Sequence, residues 1–255
     1  MQDIEVCLDV LCLASRLTLE NGGETYRAEE TVLKMAQGFG FDQIEVFALP
    51  TAITISLSDM NGAGHTRIVR VHQRSIDLKK LNECNQISRS VFEKRMTVDE
   101  ALKNLHLIDS MKKPQPWVLI MACALSSAFF TVMFEGGAAD FAVSAVCGVI
   151  TECILLRLAA RYVPALFSGM IAGFTTAFIA LAANRLFPVD VHIEPIISGA
   201  IMPLLPGLSF TAAVRDTIRG DLVSGSAKVT EAILCAVTLG SGIAIMISLW
   251  GEFFG

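Results

Sequence analysis

The sequence predicts an α-helical polytopic membrane protein, with five transmembrane helices preceded by an N-terminal cytoplasmic α+β domain. Three observations predict it: segregated charge, five long apolar runs, and a Lys/Arg bias in alternate loops. Of 255 residues, 53% are hydrophobic and 18% charged, and the mean hydropathy is +0.56. Residues 1–113 hold 14 of the 20 Lys+Arg and 16 of the 25 Asp+Glu, leaving 6 and 9 for residues 114–255. Domains at 1–113 and 114–255 follow. Such a composition excludes a disordered chain, a collagen-like repeat and a disulfide-rich mini-protein. The net charge of −5 divides as −2 and −3 between the two parts, so neither half is basic enough to grip nucleic acid. Seven cysteines, an odd number with no CxxC, read as small buried hydrophobes in a reducing compartment.

In the N-terminal part, Ile4 to about Leu19 has helical apolar spacing and is stopped by Asn21-Gly22-Gly23. Asp9 and Arg16 interrupt its apolar stretch, and no basic leader or small-residue cleavage site frames it as a secretory signal. Glu24 to Gln37 predicts a second helix, ended by Gly38 and Gly40. Val46, then Ile53, Ile55 and Leu57 alternating with Thr54, Ser56 and Ser58, predict strands with one wet face. The turn cluster Asn61-Gly62-Ala63-Gly64 lets Arg67–Val71 pair back as a hairpin. Ser75 to Phe92 returns to helical spacing. Thr97-Val98-Asp99-Glu100 is a capping box opening the helix Ala101 to Ile108. His65, His72 and His106 lack metal-ligand spacing, with His65 and His72 expected on opposite strand faces, and no phosphate-binding loop or nucleophile elbow occurs. No cofactor and no enzymatic activity are expected. The densest polar group is Glu24, Arg27, Glu29 and Glu30, readable as a solvated helix face with Glu–Arg pairing or as a ligand or docking surface.

Five spans are expected at about 117–134, 138–159, 162–184, 195–214 and 232–250. A bilayer core of about 30 Å needs roughly 20 helical residues, which four of these supply without a charge. The second contains Glu152 and Arg157. Lys112, Lys113, Arg157, Arg161, Arg215, Arg219 and Lys228 lie in one set of loops. The other set holds Glu135, Asp140, Arg185, Asp190 and Glu194. Lys/Arg excess marks the cytoplasmic side, so the N-terminal domain is expected inside and the carboxyl terminus outside.

Transport chemistry has two candidate places in these spans. Pro203 and Pro206, followed by Gly207, fall near the middle of the fourth span, where missing amide donors break the helix. A Pro-kinked packing helix is the plainer alternative. Glu152 is either turned to the bundle interior, where reversible protonation is useful, or held at the interface near Arg157. Asn184, Glu194 and Glu231 read as interfacial. Gly169/Gly173, Ser144/Gly148 and Thr238/Gly242 have the spacing of close helix packing.

The run Asn21-Gly22-Gly23-Glu24-Thr25-Tyr26-Arg27-Ala28-Glu29, with Pro50-Thr51-Ala52-Ile53 and the Pro206-Gly207 break, resembles the threonine/serine exporter (ThrE) family over nearly the whole chain. The resemblance implies Gly22, Thr25, Arg27 and Glu29 as motif positions and Pro206 and Gly207 as the broken-helix element. Full-length members join two five-span halves. Ending near Gly255, this chain resembles the larger subunit of the split form, which works beside a second, shorter five-span membrane subunit. The implied function is export of a small carboxylate metabolite (succinate, a related dicarboxylate, or threonine/serine) across the bacterial inner membrane. Without an outside partner five spans make an incomplete bundle, so the second subunit or copies of the same chain are expected beside it. A membrane-anchored cytoplasmic enzyme or sensor, and a scaffold subunit of a transporter, are the competing readings.

Overall fold

The computed structural model describes residues 4–58, 62–72, 74–187 and 191–254. Asn61 of the expected turn, Asp190 of the expected outer loop and the terminal Gly255 lie outside the described residues. The chain divides into two compact units, one of residues 1–112 with 209–229 and one of residues 113–208 with 230–255.

In the first unit, α1 (Ile4–Glu20) and α2 (Thr25–Phe39) precede a three-stranded antiparallel sheet, followed by α3 (Leu78–Phe92) and α4 (Val98–Asp109). The strands β1 (Ile44–Leu49), β2 (Ala52–Ser58) and β3 (Gly64–Arg70) pair in the order β1-β2-β3. Alternation along β2 buries Ile53, Ile55 and Leu57 while Thr54 and Ser56 stay half-exposed, as a sheet covered on one face requires. These residues join Leu8, Leu11 and Leu17 of α1 and Val32 and Met35 of α2 in one apolar core. Arg67, paired with Ile55 across the sheet, reaches Glu5 and Asp9 on α1. The capping box on α4 is formed: Thr97 N–H donates to Glu100 Oε2 at 2.9 Å, and Glu100 N–H to Thr97 Oγ1 at 3.4 Å.

At the α1–α2 turn Gly22 has φ +90°, and a Cβ on Gly23 would lie 2.7 Å from the Thr18 carbonyl oxygen. Only glycine suits both demands. His72 lies beyond β3 rather than on it, which corrects the expected placement of His65 and His72 on opposite strand faces.

The first unit takes in residues 209–229 as well as the N-terminal part; Arg215 there pairs with Glu24 ahead of α2, and Arg219 stacks on Tyr26 of α2. This segment includes most of α9 (Gly207–Ile218) and the start of α10 (Leu222–Phe254).

The second unit is helical: α5 (Pro116–Met133), α6 (Ala138–Ala160), α7 (Ala165–Leu186), α8 (Ile193–Ile201), a 3-10 turn at Met202–Leu204, and the rest of α10. Four helices, α5, α6, α7 and α10, are long and apolar enough to cross a membrane. The segments 193–204 and 207–218 make a fifth candidate bent by 57°. The described residues thus hold four or five candidate spans, and the expected fourth is not one straight helix. The third begins at Ala165 instead of residue 162, because Tyr162 closes the preceding helix at φ +57° and Pro164 caps the next. The fifth starts ten residues earlier than the charge-free run, since Lys228 and Glu231 lie within the helix.

Between 22 and 33% of each apolar window is buried within the protein. What is buried is small: Ala124, Ser127 and Ala128 on α5, Ser144, Cys147 and Gly148 on α6, Ala172, Gly173 and Thr176 on α7. Phe129, Phe167, Phe178 and Val237 face outward. In water this would be inside out; in hydrocarbon, where large apolar groups gain nothing by hiding, close backbone approach through small residues holds the helices. A Cβ on Gly148 would sit 2.8 Å from Ala124 Cα, and those on Gly173 and Gly242 would strike the carbonyls of Leu239 and Met170. All seven cysteines are free thiols.

Gly240 and Gly242 lie on one helix, but a Cβ at Gly240 meets nothing within 4 Å. Gly242→Ala is expected to lower stability by about 1–3 kcal/mol through overpacking. Gly240→Ala is expected to be neutral or to stabilise by up to about 1 kcal/mol. Thermal unfolding in detergent micelles checks the difference.

Candidate functional site

Two polar constellations stand out, one in each unit. In the second, α8 and the 3-10 turn end at Leu204, Leu205 is extended at ψ 138°, and α9 restarts at Gly207. Pro203 and Pro206 bracket this break and contribute no amide donors; Gly207 N–H donates to the Leu205 carbonyl at 2.8 Å. A Cβ at Gly207 would meet nothing within 4 Å, so glycine is not demanded there by packing.

The interior of the same unit carries hydroxyls. Thr131 satisfies itself on the Ser127 carbonyl at 2.9 Å, and Thr151 and Thr176 face each other at 3.4 Å. Ser127 and Ser144 are fully buried, and among the described residues their hydroxyls have no geometrically sound hydrogen-bond partner. Glu152 is half-buried on α6 and makes no hydrogen bond or ion pair with Arg157 or with any other described residue. At the start of α6, the fully buried Asp140 accepts from Gly137 N–H at 2.9 Å and His192 N–H at 2.7 Å, and meets His192 Nδ1 at 3.0 Å. Asn184 donates to the Val191 carbonyl at 2.7 Å, fastening the same end of the bundle.

In the first unit the motif residues open α2. Gly22 makes the turn, and Thr25 is fully buried with a hydroxyl that has no partner among the described residues. Glu24, at the amino end of the helix, is buried between two guanidinium groups: Arg27 Nε at 2.9 Å, and Arg215 of α9. Arg219 stacks its guanidinium 3.6 Å from the centre of the Tyr26 ring, whose hydroxyl accepts from Arg27 Nε at 3.2 Å. Glu29 accepts from the Ala48 amide at 2.8 Å, binding α2 to β1. Burial raises its carboxyl above the ordinary value, against the lowering by that amide and with the help of Asp221. Below these, fully buried Asp216 pairs with Lys228 at 2.7 Å, joining α9 to α10.

The motif positions thus gather at one helix start, and the break residues gather at one bend, in different units. Sequence reading missed Asp140–His192, Glu24–Arg215 and Asp216–Lys228, whose partners are far apart in the chain. The hydroxyl stripe left a readable signal, Ser127/Thr131 and Ser144/Thr151, at intervals of four and seven residues on one helical face. No group of three or more His, Cys, Asp or Glu among the described residues is placed to hold a metal ion.

A bundle of apolar helices with hydroxyls inside and an interrupted helix within it is the architecture of a polytopic membrane protein. The family model described as "Putative threonine/serine exporter" (ThrE) matches residues 9–250, and the chain belongs to that family. It is 22% identical over 242 residues to the "Probable succinate transporter subunit YjjP" of Klebsiella aerogenes, covering 94% of this chain and 93% of that protein. It is 23% identical over 249 residues to the "Probable threonine/serine exporter" of Mycobacterium tuberculosis, covering 96% of this chain and 46% of that one. An uncharacterised Schizosaccharomyces pombe protein is 27% identical over 92% of this chain, which spans 32% of the yeast protein's length. No solved structure matches the chain.

A raised carboxyl pKa stabilises the fold only while the group is protonated, and that contribution is lost as pH climbs through the folded value. Glu29→Gln keeps an acceptor for Ala48 without the charge. Its stability should equal the parent's below the ordinary carboxylate range and exceed it at pH 7, read by thermal midpoints across pH. A double-mutant cycle of Glu24→Gln and Arg215→Gln should return a coupling of about 0.5–1 kcal/mol, since the guanidinium of the pair is half-exposed to solvent screening although the carboxylate is buried.

Proposed function

We propose that this chain is the larger subunit of a secondary exporter that moves a small carboxylate metabolite out of the cytoplasm beside a second five-span membrane subunit. The metabolite is succinate or a related dicarboxylate, or threonine and serine, the compounds named for the two bacterial relatives. The observation that carries the reading is the Leu204–Gly207 break beside a bundle interior lined with hydroxyls. Interrupted backbone frees peptide groups, and in hydrocarbon these are tolerated where protein or a hydrated path satisfies them. Pro203, Pro206 and Gly207 shape that path, and Glu152, an acid without a partner, is the group that takes up and releases a proton during the cycle. Near-complete coverage of a relative named as a subunit favours assembly with a second protein.

The N-terminal part works in the cytoplasm. Supporting this orientation, Arg215, Arg219 and Lys228 belong to the same compact unit as residues 1–112, and the Lys/Arg-rich loops mark the inner side. There Glu29 fixes α2 to β1, and Arg27 pairs with Glu24, which also holds Arg215 of α9, so that the segment after the break is tied to the start of the motif helix.

Cells lacking this chain are expected to lose efflux of radiolabelled succinate, threonine or serine, and to regain it on co-expression with the second subunit. Pro206→Ala, Gly207→Leu and Glu152→Gln should each cut flux about tenfold, the effect of roughly 1.4 kcal/mol on the barrier, with assembly intact by size-exclusion chromatography. Unaltered flux in all three assembled variants would make the chain a scaffold. Unchanged efflux of every compound in the deletion would end the export reading.

A further inference from the structure

The first unit contains an open cleft of about 600 Å³ walled by α2, α3 and the residue that follows α9. Four cations line it, Arg27, Lys34, Arg89 and Arg219, against two carboxylates, Glu29 and Glu30. Lys34 and Glu30 cancel each other in an ion pair at 2.6 Å. Glu29 spends one oxygen on the Ala48 amide. Three guanidinium groups therefore dominate, in a protein whose net charge is −5.

Their donors are available. Arg27 uses Nε for Glu24 and Tyr26, and neither of its Nη groups has a partner among the described residues. Arg219 rests its flat face on the Tyr26 ring; stacking engages the face and leaves the in-plane N–H groups to donate. Arg89 is exposed on α3, with no ion pair or side-chain hydrogen bond among the described residues. One tyrosine thus seats two like charges, one by its face and one by its hydroxyl, and a third approaches across the cleft. Such a fork of guanidinium groups fits paired oxyanions, which accept two parallel N–H bonds each.

We propose that this cleft is a binding site for a small dianionic metabolite carrying carboxylate or phosphate groups, separate from the path at the helix break. Arg219 and Arg89 hold the oxyanions and Arg27 supplies a further donor. A flat anionic surface would not need a concavity, so the ligand is a soluble molecule and not a lipid headgroup. Because Arg219 directly follows α9, occupancy of the cleft fixes the same segment that Glu24 holds through Arg215. The site gives the first unit a reason to exist that the membrane path does not provide.

The test is isothermal titration of the full chain in phosphatidylcholine nanodiscs with sodium succinate and with inorganic phosphate, at matched ionic strength. Saturable binding of at least one probe is expected, weakened at least about tenfold by Arg89→Gln and by Arg219→Gln and unchanged by Lys103→Gln on α4. Arg89→Gln removes no contact with another described residue, so it keeps the fold, which the thermal midpoint verifies. No saturable binding, or equal binding in both arginine variants, would overturn the proposal. So would binding that appears only when phosphatidylglycerol is added to the nanodiscs, since the oxyanion would then be lipid. Titration of the cleft and efflux through the bundle are independent readouts, so failure of one is distinguishable from failure of the other.

Discussion

Close backbone approach through residues with almost no side chain is the constraint on which the helical unit depends. Apolar side chains gain nothing by leaving lipid for protein, so the helices must be held by dispersion at short range and by the few polar groups between them. Gly148 against Ala124, Gly173 against Leu239 and Gly242 against Met170 are the points where this is achieved. The first unit obeys the opposite rule. Its core is Leu, Ile, Val and Met, and its surface charges answer one another in pairs such as Arg16 with Asp109 at 2.9 Å. One chain therefore contains two solutions to burial, each suited to a different solvent.

Polar groups inside the helical unit are handled in a consistent order. Hydroxyls first use carbonyls on their own helix, as Thr131 does on Ser127 and Thr175 on Ile171 at 2.8 Å. The buried Asp140 takes two backbone amides and an imidazole. Against this economy Ser127, Ser144 and Glu152 are conspicuous, because among the described residues they are left without a hydrogen-bond or ion-pair partner. Left-over polar groups in hydrocarbon are expensive.

Much of this was legible in the chain before any fold was known, because hydropathy and charge are properties of short segments. The span at 117–134 differs from α5 by one residue at each end and that at 138–159 from α6 by one residue at its carboxyl end, and the Thr97–Glu100 box was readable from four letters. Reading failed where a residue's meaning depends on a distant partner. Lys228 looked like a loop charge ahead of the last span, yet Asp216 allows it to sit inside α10. Glu24 looked like one carboxylate on a wet helix face, and it is buried because Arg215, 191 residues later, comes to it. Asp140 was counted as a loop charge, although burial and three donors make it a structural fastening.

The candidate spans are unequal. At about 1.5 Å per residue, the 18 residues of α5 reach about 27 Å and the 23 of α6 about 35 Å. A bilayer of uniform thickness cannot match both with the same inclination, so neighbours that share the Gly148 contact must lean by different amounts or thin the lipid around the shorter one. Acyl-chain length in the surrounding membrane then becomes a mechanical load on the bundle, and changing it alters the strain across the α5–α6 seam without touching a single residue.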